Sequence, residues 1–210
     1  MKLIIFGSTG GTGRQLVMQA LEQGYDVTAF ARSPEKIDQT HEKLKVIKGN
    51  VLDISSVEES MQGHDAVLCS LGLPNIMDKS GLRANGTKNI VRAMEKMNIK
   101  RLICQSALGT DDSHDLLPFH YKYLLVPLVM NRLYADHANQ ESCIKKSQLE
   151  WVIVRPGALT NGQRTGVYKH GFTANNGAIK AKISRADTAE FMLKQLTDGS
   201  YLYKSPCISY

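Results

Sequence analysis

Seven residues, Gly7-Ser8-Thr9-Gly10-Gly11-Thr12-Gly13, constrain this chain more than any others. They follow a short apolar run, Lys2 to Phe6, and open a stretch from Arg14 to Gln23 whose Leu16, Val17, Ala20 and Leu21 share one helical face. Gly24 suits the position just past that helix. A glycine motif between a buried strand and a helix carries far more weight than the motif alone. Gly7 permits the tight turn, Gly10 lets the backbone approach a pyrophosphate, and Gly13 lets the helix pack close to the sheet. Gly11 belongs to the same cradle, and the hydroxyls of Thr9 and Thr12 add donors. The first helical N–H groups and the positive end of the helix dipole then face the phosphates.

The strand-then-helix rhythm continues. Asp26 to Ala31, Leu44 to Ile47, Ala66 to Ser70, Arg101 to Ser106 and Trp151 to Val154 read as strands. Helices are expected from a Ser55/Glu58 capping box, over Gly86 to Met97 with Ile90, Val91 and Met94 as its apolar stripe, and over Asp136 to Lys146. Ser184-Arg185-Ala186-Asp187 has the form of a start for a last helix running to about Leu196. Continuously apolar strands separated by helices predict an α/β fold, a doubly wound parallel sheet of the Rossmann kind, over one domain of residues 1–210. An insertion-like segment at 109–132 breaks the rhythm, turning apolar at Tyr121 to Met130. It reads as a cover over the ligand crevice, as a contact surface, or equally as a plain core helix.

The residues after the second strand indicate which dinucleotide is bound. An acidic residue there holds the ribose 2′-hydroxyl of NAD. This chain has Arg32, nineteen residues after Gly13, followed by Ser33 and, shortly after, Lys36. An arginine at that place pairs with a 2′-phosphate and stacks on adenine, Ser33 can donate to the same phosphate, and Lys36 adds charge. The expected cofactor is NADP(H).

Composition excludes several other classes. The formal charge of +6 comes from scattered Lys and Arg residues with no basic block, which predicts no nucleic-acid partner. Cys69, Cys104, Cys143 and Cys207 are far apart, so neither a metal site nor a disulfide framework is expected; Cys69 and Cys104 fall in strand-like runs as reduced, small hydrophobes. No apolar run reaches a membrane span, and the apolar start lacks a cleavage pattern. The reading is a cytoplasmic protein with no membrane contact, acting as a monomer or weak oligomer.

Gly-Ser-Thr-Gly-Gly-Thr-Gly, Ala31-Arg32-Ser33-Pro34, Gly49-Asn50-Val51-Leu52-Asp53, Ser70-Leu71-Gly72, Gly86-Thr87-Lys88-Asn89-Ile90, Ser106-Ala107 and Val154-Arg155-Pro156-Gly157 together resemble the atypical short-chain dehydrogenases with an NAD(P)-binding NmrA-like fold. Within that group the chain most resembles the biliverdin reductase B, or flavin reductase, members. The resemblance implies that Asn50, Val51 and Leu52 border the adenine and that Leu71 and Gly72 pass under the middle of the cofactor. It places Ser106 and His137 beside the nicotinamide as the catalytic candidates, with Pro156 closing the far side. Asp136-His137 matches the reductase B members, although many bacterial relatives carry Lys at the place of His137.

Ordinary short-chain dehydrogenases use a Tyr-x-x-x-Lys pair to protonate a carbonyl oxygen. None of the eight tyrosines here has Lys four residues later. That absence favours acceptors that spread charge over a conjugated system, such as a flavin (FMN or riboflavin), a biliverdin-type tetrapyrrole or a quinone-like small molecule. The expected activity is NADPH-dependent reduction of such an acceptor. The alternatives are a non-catalytic NADP-binding redox sensor of the NmrA type, an enzyme with a sugar- or quinone-sized pocket from 109–132 and 158–180, and an assembly factor using Tyr121 to Met130 as an interface.

Overall fold

The structure, a computed structural model, describes residues 1–72, 80–119, 121–171 and 180–210. Strands β1 (Lys2–Phe6), β2 (Asp26–Ala31), β3 (Leu44–Lys48), β4 (Ala66–Cys69), β5 (Arg101–Gln105) and β6 (Glu150–Pro156) pair in parallel in the order β3-β2-β1-β4-β5-β6. The register aligns Phe6 with Phe30 on one side and Cys69 on the other, and Cys69 with Cys104. The strand order reverses between β1 and β4, opening a crevice at the carboxyl ends, where sheets of this kind hold ligands.

Helices cover both faces, which is why β1 and β4 are almost wholly apolar and β5 is apolar at its buried centre, Leu102 to Cys104. Helix α1 (Gly11–Glu22) and helix α5 (Arg185–Lys194) pack on one face, burying Leu16, Val17 and Ala20 with Phe191 and Met192. Helices α2 (Ile54–Met61), α3 (Leu82–Lys96) and α4 (Asn131–Lys145) pack on the other through Val57, Met61, Ile90, Met94 and Ile144. The doubly wound Rossmann architecture expected from the sequence is therefore present. Cys69 and Cys104 are buried free thiols in its sheet.

Several boundaries differ from expectation. Helix α2 is not capped by Ser55: Asp53 is its cap, and the Asp53 carboxylate accepts from the Ser55 N–H at 3.1 Å. Helices α3 and α4 start four and five residues earlier than their apolar stripes suggested. Four short strands escaped the sequence reading. β7 (Ala158–Thr160) and β9 (Lys182–Ser184) pair in parallel, β10 (Cys207–Ser209) extends the main sheet beside β6, and β8 (Lys169–His170) closes it antiparallel. The expected start of α5 is present: Ser184 is its cap, accepting from the Asp187 N–H at 2.9 Å.

The segment after β5 is not a core helix. A tight turn, Asp111–Leu116, leads to a wide π-type helix, Tyr121–Met130, which runs into α4. Phe119, Tyr123, Leu124, Leu128 and Val129 are exposed, whereas Leu117, Pro118 and Met130 line the crevice. This roof is tied to the sheet by Arg155, a fully buried guanidinium on β6. Its Nε and Nη2 donate to Glu141 of α4 at 2.9 and 2.6 Å, and its Nη1 donates to Asp112 of the turn at 2.7 Å. Such a pair is stable only when its hydrogen bonds are complete, as they are here. Among the described residues no helix is long and apolar enough to cross a membrane. Residue 120 and residues 172–179, within stretches expected to shape an acceptor pocket, lie outside the described residues.

Candidate functional site

One cavity of about 710 Å³ occupies the crevice at the carboxyl ends of the strands. Its first end is the glycine loop. Gly7 has φ +81°, and a Cβ there would stand 2.2 Å from the Ser70 carbonyl oxygen. A Cβ on Gly13 would stand 2.0 Å from the Gly7 oxygen, so the helix can start against the strand only if both residues lack side chains. Ser8 Oγ donates to the Phe30 carbonyl at 2.9 Å and fixes the loop to the end of β2. Helix α1 begins after Gly10 with no side-chain cap and no acidic residue in its first turn. Uncapped N–H groups opening on a cavity fit an anion such as a pyrophosphate. Gly7, Thr9, Gly10, Gly11 and Thr12 line this end; Gly13 supports it from behind.

At the end of β2, Arg32, Ser33 and Lys36 line the cavity, and Arg32 and Lys36 are exposed. Val51 forms the neighbouring wall, with Gly49 and Phe30. Asn50 and Leu52, expected beside it, are absent from the wall. Asn50 Oδ1 accepts from the Leu52 N–H at 3.1 Å, which turns the amide into its own loop, and the Leu52 side chain faces solvent. Leu71 and Gly72 line the middle.

Ser106, His137 and Pro156 line the far end. Ser106 Oγ lies 3.4 Å from His137 Nδ1, and both residues are buried rather than displayed on the surface. Gln140 Nε2 donates to Thr87 Oγ1 at 3.0 Å and to Cys104 Sγ at 3.3 Å, leaving Gln140 Oε1 to accept from His137 Nδ1 at 3.3 Å. This network assigns the proton to Nδ1 and leaves Nε2 as an acceptor. Burial, reinforced by the nearby Arg83 charge, pushes the His137 pKa down to about 3, against the weaker effect of Gln140. His137 is therefore a neutral ring at physiological pH and holds no proton to give as an imidazolium.

The same burial has a consequence for stability. Between pH 6.5 and about 3 the unfolded chain takes up a proton that the folded chain refuses. The contribution is whole above pH 6.5 and declines as pH falls toward 3. From pH 7 to pH 5 the loss is roughly 2 kcal/mol. Urea unfolding of His137→Gln is expected to show a shallower decline over that interval than the parent; equal slopes would show that the ring is protonated in the folded state.

Arg83, in the first turn of α3, also lines the far end and is only 9% exposed. Its Nη1 is 3.7 Å from Asp136 Oδ2. Asp136 itself accepts from the Arg83 and Ala84 N–H groups, at 3.2 and 3.0 Å, and so caps α3 from the neighbouring helix. The roof completes this end with Leu117, Pro118, Met130, Leu133 and Tyr134, whose hydroxyl donates to the Leu108 carbonyl at 3.0 Å. Among the described residues no group of His, Cys, Asp and Glu is arranged to hold a metal.

A family model described as NAD(P)H-binding matches residues 7–199, from the glycine loop to beyond α5. The chain belongs to this NAD(P)H-binding family. Among curated relatives it is 26% identical to the oxidoreductase aflX of Aspergillus parasiticus, over 94% of this chain and 79% of that protein. Among solved structures it resembles ChuY, an anaerobillin reductase from Escherichia coli O157:H7 (TM-score 0.80, 20% identity, 100% of this chain and 97% of that one). It likewise resembles a short-chain dehydrogenase/reductase from Veillonella parvula in complex with NADP (TM-score 0.81, 19% identity, 100% and 94%). At these identities the two structural likenesses speak for the fold.

In this member of the NAD(P)H-binding family, two charged cavity residues went unnoticed in the sequence. Arg185 follows the Ser184 cap and lies across Gly11, its Nη1 held by Asn161 Oδ1 at 2.6 Å. The Ser-x-x-Asp start located that helix, but nothing local aimed its first residue at the glycine loop. Arg83 had no signal at all, because the fold alone brings it to His137.

Proposed function

We propose that the chain is an NADPH-dependent reductase of conjugated ring acceptors, a flavin or a biliverdin-type tetrapyrrole, as in the biliverdin reductase B group. One observation carries this reading: a single cavity joins the uncapped start of α1 to the buried Ser106–His137 pair and continues under an apolar roof. The α1 amides would hold the pyrophosphate of the cofactor, and Arg32, Ser33 and Lys36 its 2′-phosphate. Bound NADPH supplies the hydride. Ser106 Oγ and the unprotonated His137 Nε2 orient the nicotinamide amide or the acceptor, and Leu117, Met130 and Leu133 keep water from its face. Tyr134, which lines this end, is engaged with the Leu108 carbonyl and has Ala138, not Lys, four residues on. The acceptor's proton therefore comes from solvent, which a delocalised anion permits. The ChuY likeness agrees with a tetrapyrrole-sized acceptor.

Mixing the protein with NADPH and FMN, or with biliverdin, and following the nicotinamide absorbance tests the reading. Turnover with at least one of these is expected. Tight NADPH binding with no oxidation by flavin, bilin, dichlorophenol dye or quinone would instead identify a non-catalytic NADP-binding sensor. Ser106→Ala is expected to slow turnover by about tenfold, the worth of one orienting hydrogen bond, while NADP binding stays nearly intact. An unchanged rate removes Ser106 from the mechanism.

A further inference from the structure

We infer that Arg83 is the docking point for a carboxylate on the acceptor, so that the substrates of this site are acidic conjugated ring systems rather than neutral ones. The inference rests on the reductase reading above and names the substrate class for it. Arg83 Nε and Nη1 are buried and have no hydrogen-bond partner among the described residues. Asp136 pairs with the guanidinium only at 3.7 Å, too long for a hydrogen bond, while its two oxygens accept from backbone N–H groups of α3. A guanidinium keeps its charge when buried, so an arginine on a cavity wall whose N–H donors its ion-pair partner leaves unmet can take a second anion.

The other lining cations are placed elsewhere. Arg32 and Lys36 stand at the end of β2, and Arg185 lies against the glycine loop, held by Asn161. Among the described residues Arg83 is thus the lining cation at the His137 end, and the ring of His137 is neutral. The facing roof, Leu117, Pro118 and Met130, is apolar. A flat apolar body with one acidic arm matches this wall. A dianionic phosphate would need further donors than one guanidinium supplies, whereas a carboxylate is matched by the planar fork of a single arginine.

The test is a binding measurement, independent of turnover. Protein saturated with NADP⁺ is titrated with biliverdin, which carries two carboxylates, and with biliverdin dimethyl ester, following the visible band of the bilin. The parent protein is expected to bind the diacid at least about tenfold more tightly than the diester. Arg83→Gln is expected to erase that preference while changing NADP⁺ affinity less than about twofold. The proposal is overturned if the parent shows no preference, if Arg83→Gln keeps it, or if Arg83→Gln weakens NADP⁺ binding as much as diacid binding, which would assign the arginine to the cofactor. The diacid-against-diester comparison on the parent needs no variant to fold. A failure of NADPH oxidation alone sinks the reductase reading and leaves this measurement to be read by itself.

Discussion

Gly13→Ala abolishes NADPH binding, with the affinity falling at least ~100-fold and the melting temperature dropping by several degrees. The reason is a collision between backbone atoms. The new methyl would stand 2.0 Å from the Gly7 carbonyl oxygen and 2.9 Å from Ser8 Cα. No side chain can swing away, so the start of α1 must move off the strand, and with it the amides that meet the pyrophosphate. Overpacking of this kind costs about 1–3 kcal/mol in ordinary cores and more where backbone is involved. Gly10→Ala separates fold from binding: its methyl would meet the Gly7 oxygen at 3.2 Å, a contact that a shift of a few tenths of an ångström relieves, so the fold is expected to hold and any loss of affinity to come from the methyl meeting the pyrophosphate. Calorimetric titration of both variants, each shown by circular dichroism to be folded, decides the matter. A folded Gly13→Ala that binds NADPH within threefold of the parent would move the pyrophosphate away from this loop.

Arg32→Ala turns the protein from NADPH toward NADH. Arg32 directly follows β2, is exposed and lines the cavity beside Ser33 and Lys36. A charge-assisted bond to a 2′-phosphate is worth about 1.5–3 kcal/mol. The kcat/KM for NADPH should therefore fall by about 10- to 100-fold while that for NADH changes by less than about threefold. Steady-state kinetics with the two cofactors gives the answer, and equal losses with both would remove the arginine from cofactor selection.

The cofactor half of this site was legible in the sequence because two local rules coincide there. A strand buried on both faces is apolar throughout, and a turn without room for Cβ atoms is glycine; both leave their mark in residues 2–13. Ser184 and its helix were legible for the same reason, since a cap acts on a residue three positions away. The acceptor half was legible only through the family resemblance, which named Ser106, His137 and Pro156. Nothing local marks His137 as buried, and the amide that sets its tautomer, Gln140, is itself fixed by Thr87 and Cys104 from two other elements. Arg83 and Asp136 are distant in sequence, and neither hints at the other. The missed strands β7 to β10 are two or three residues long, too short for any alternation to register. Asn50 misled in the opposite way, because a short amide in a loop serves its own backbone before any ligand.

The anchoring of Asp112 by Arg155 separates two tasks within one fold. The turn is moored to β6 and α4 by Arg155, Glu141 and Asp112, none of which lines the cavity. Beyond that mooring, Met130 and Leu133 face the cavity, whereas Leu117 also packs against Leu108, Val126 and Cys207 and helps to hold the canopy in place. Changes in which molecules the protein reduces can thus accumulate on the inner surface of the canopy, while the dinucleotide half and its glycine loop stay as they are.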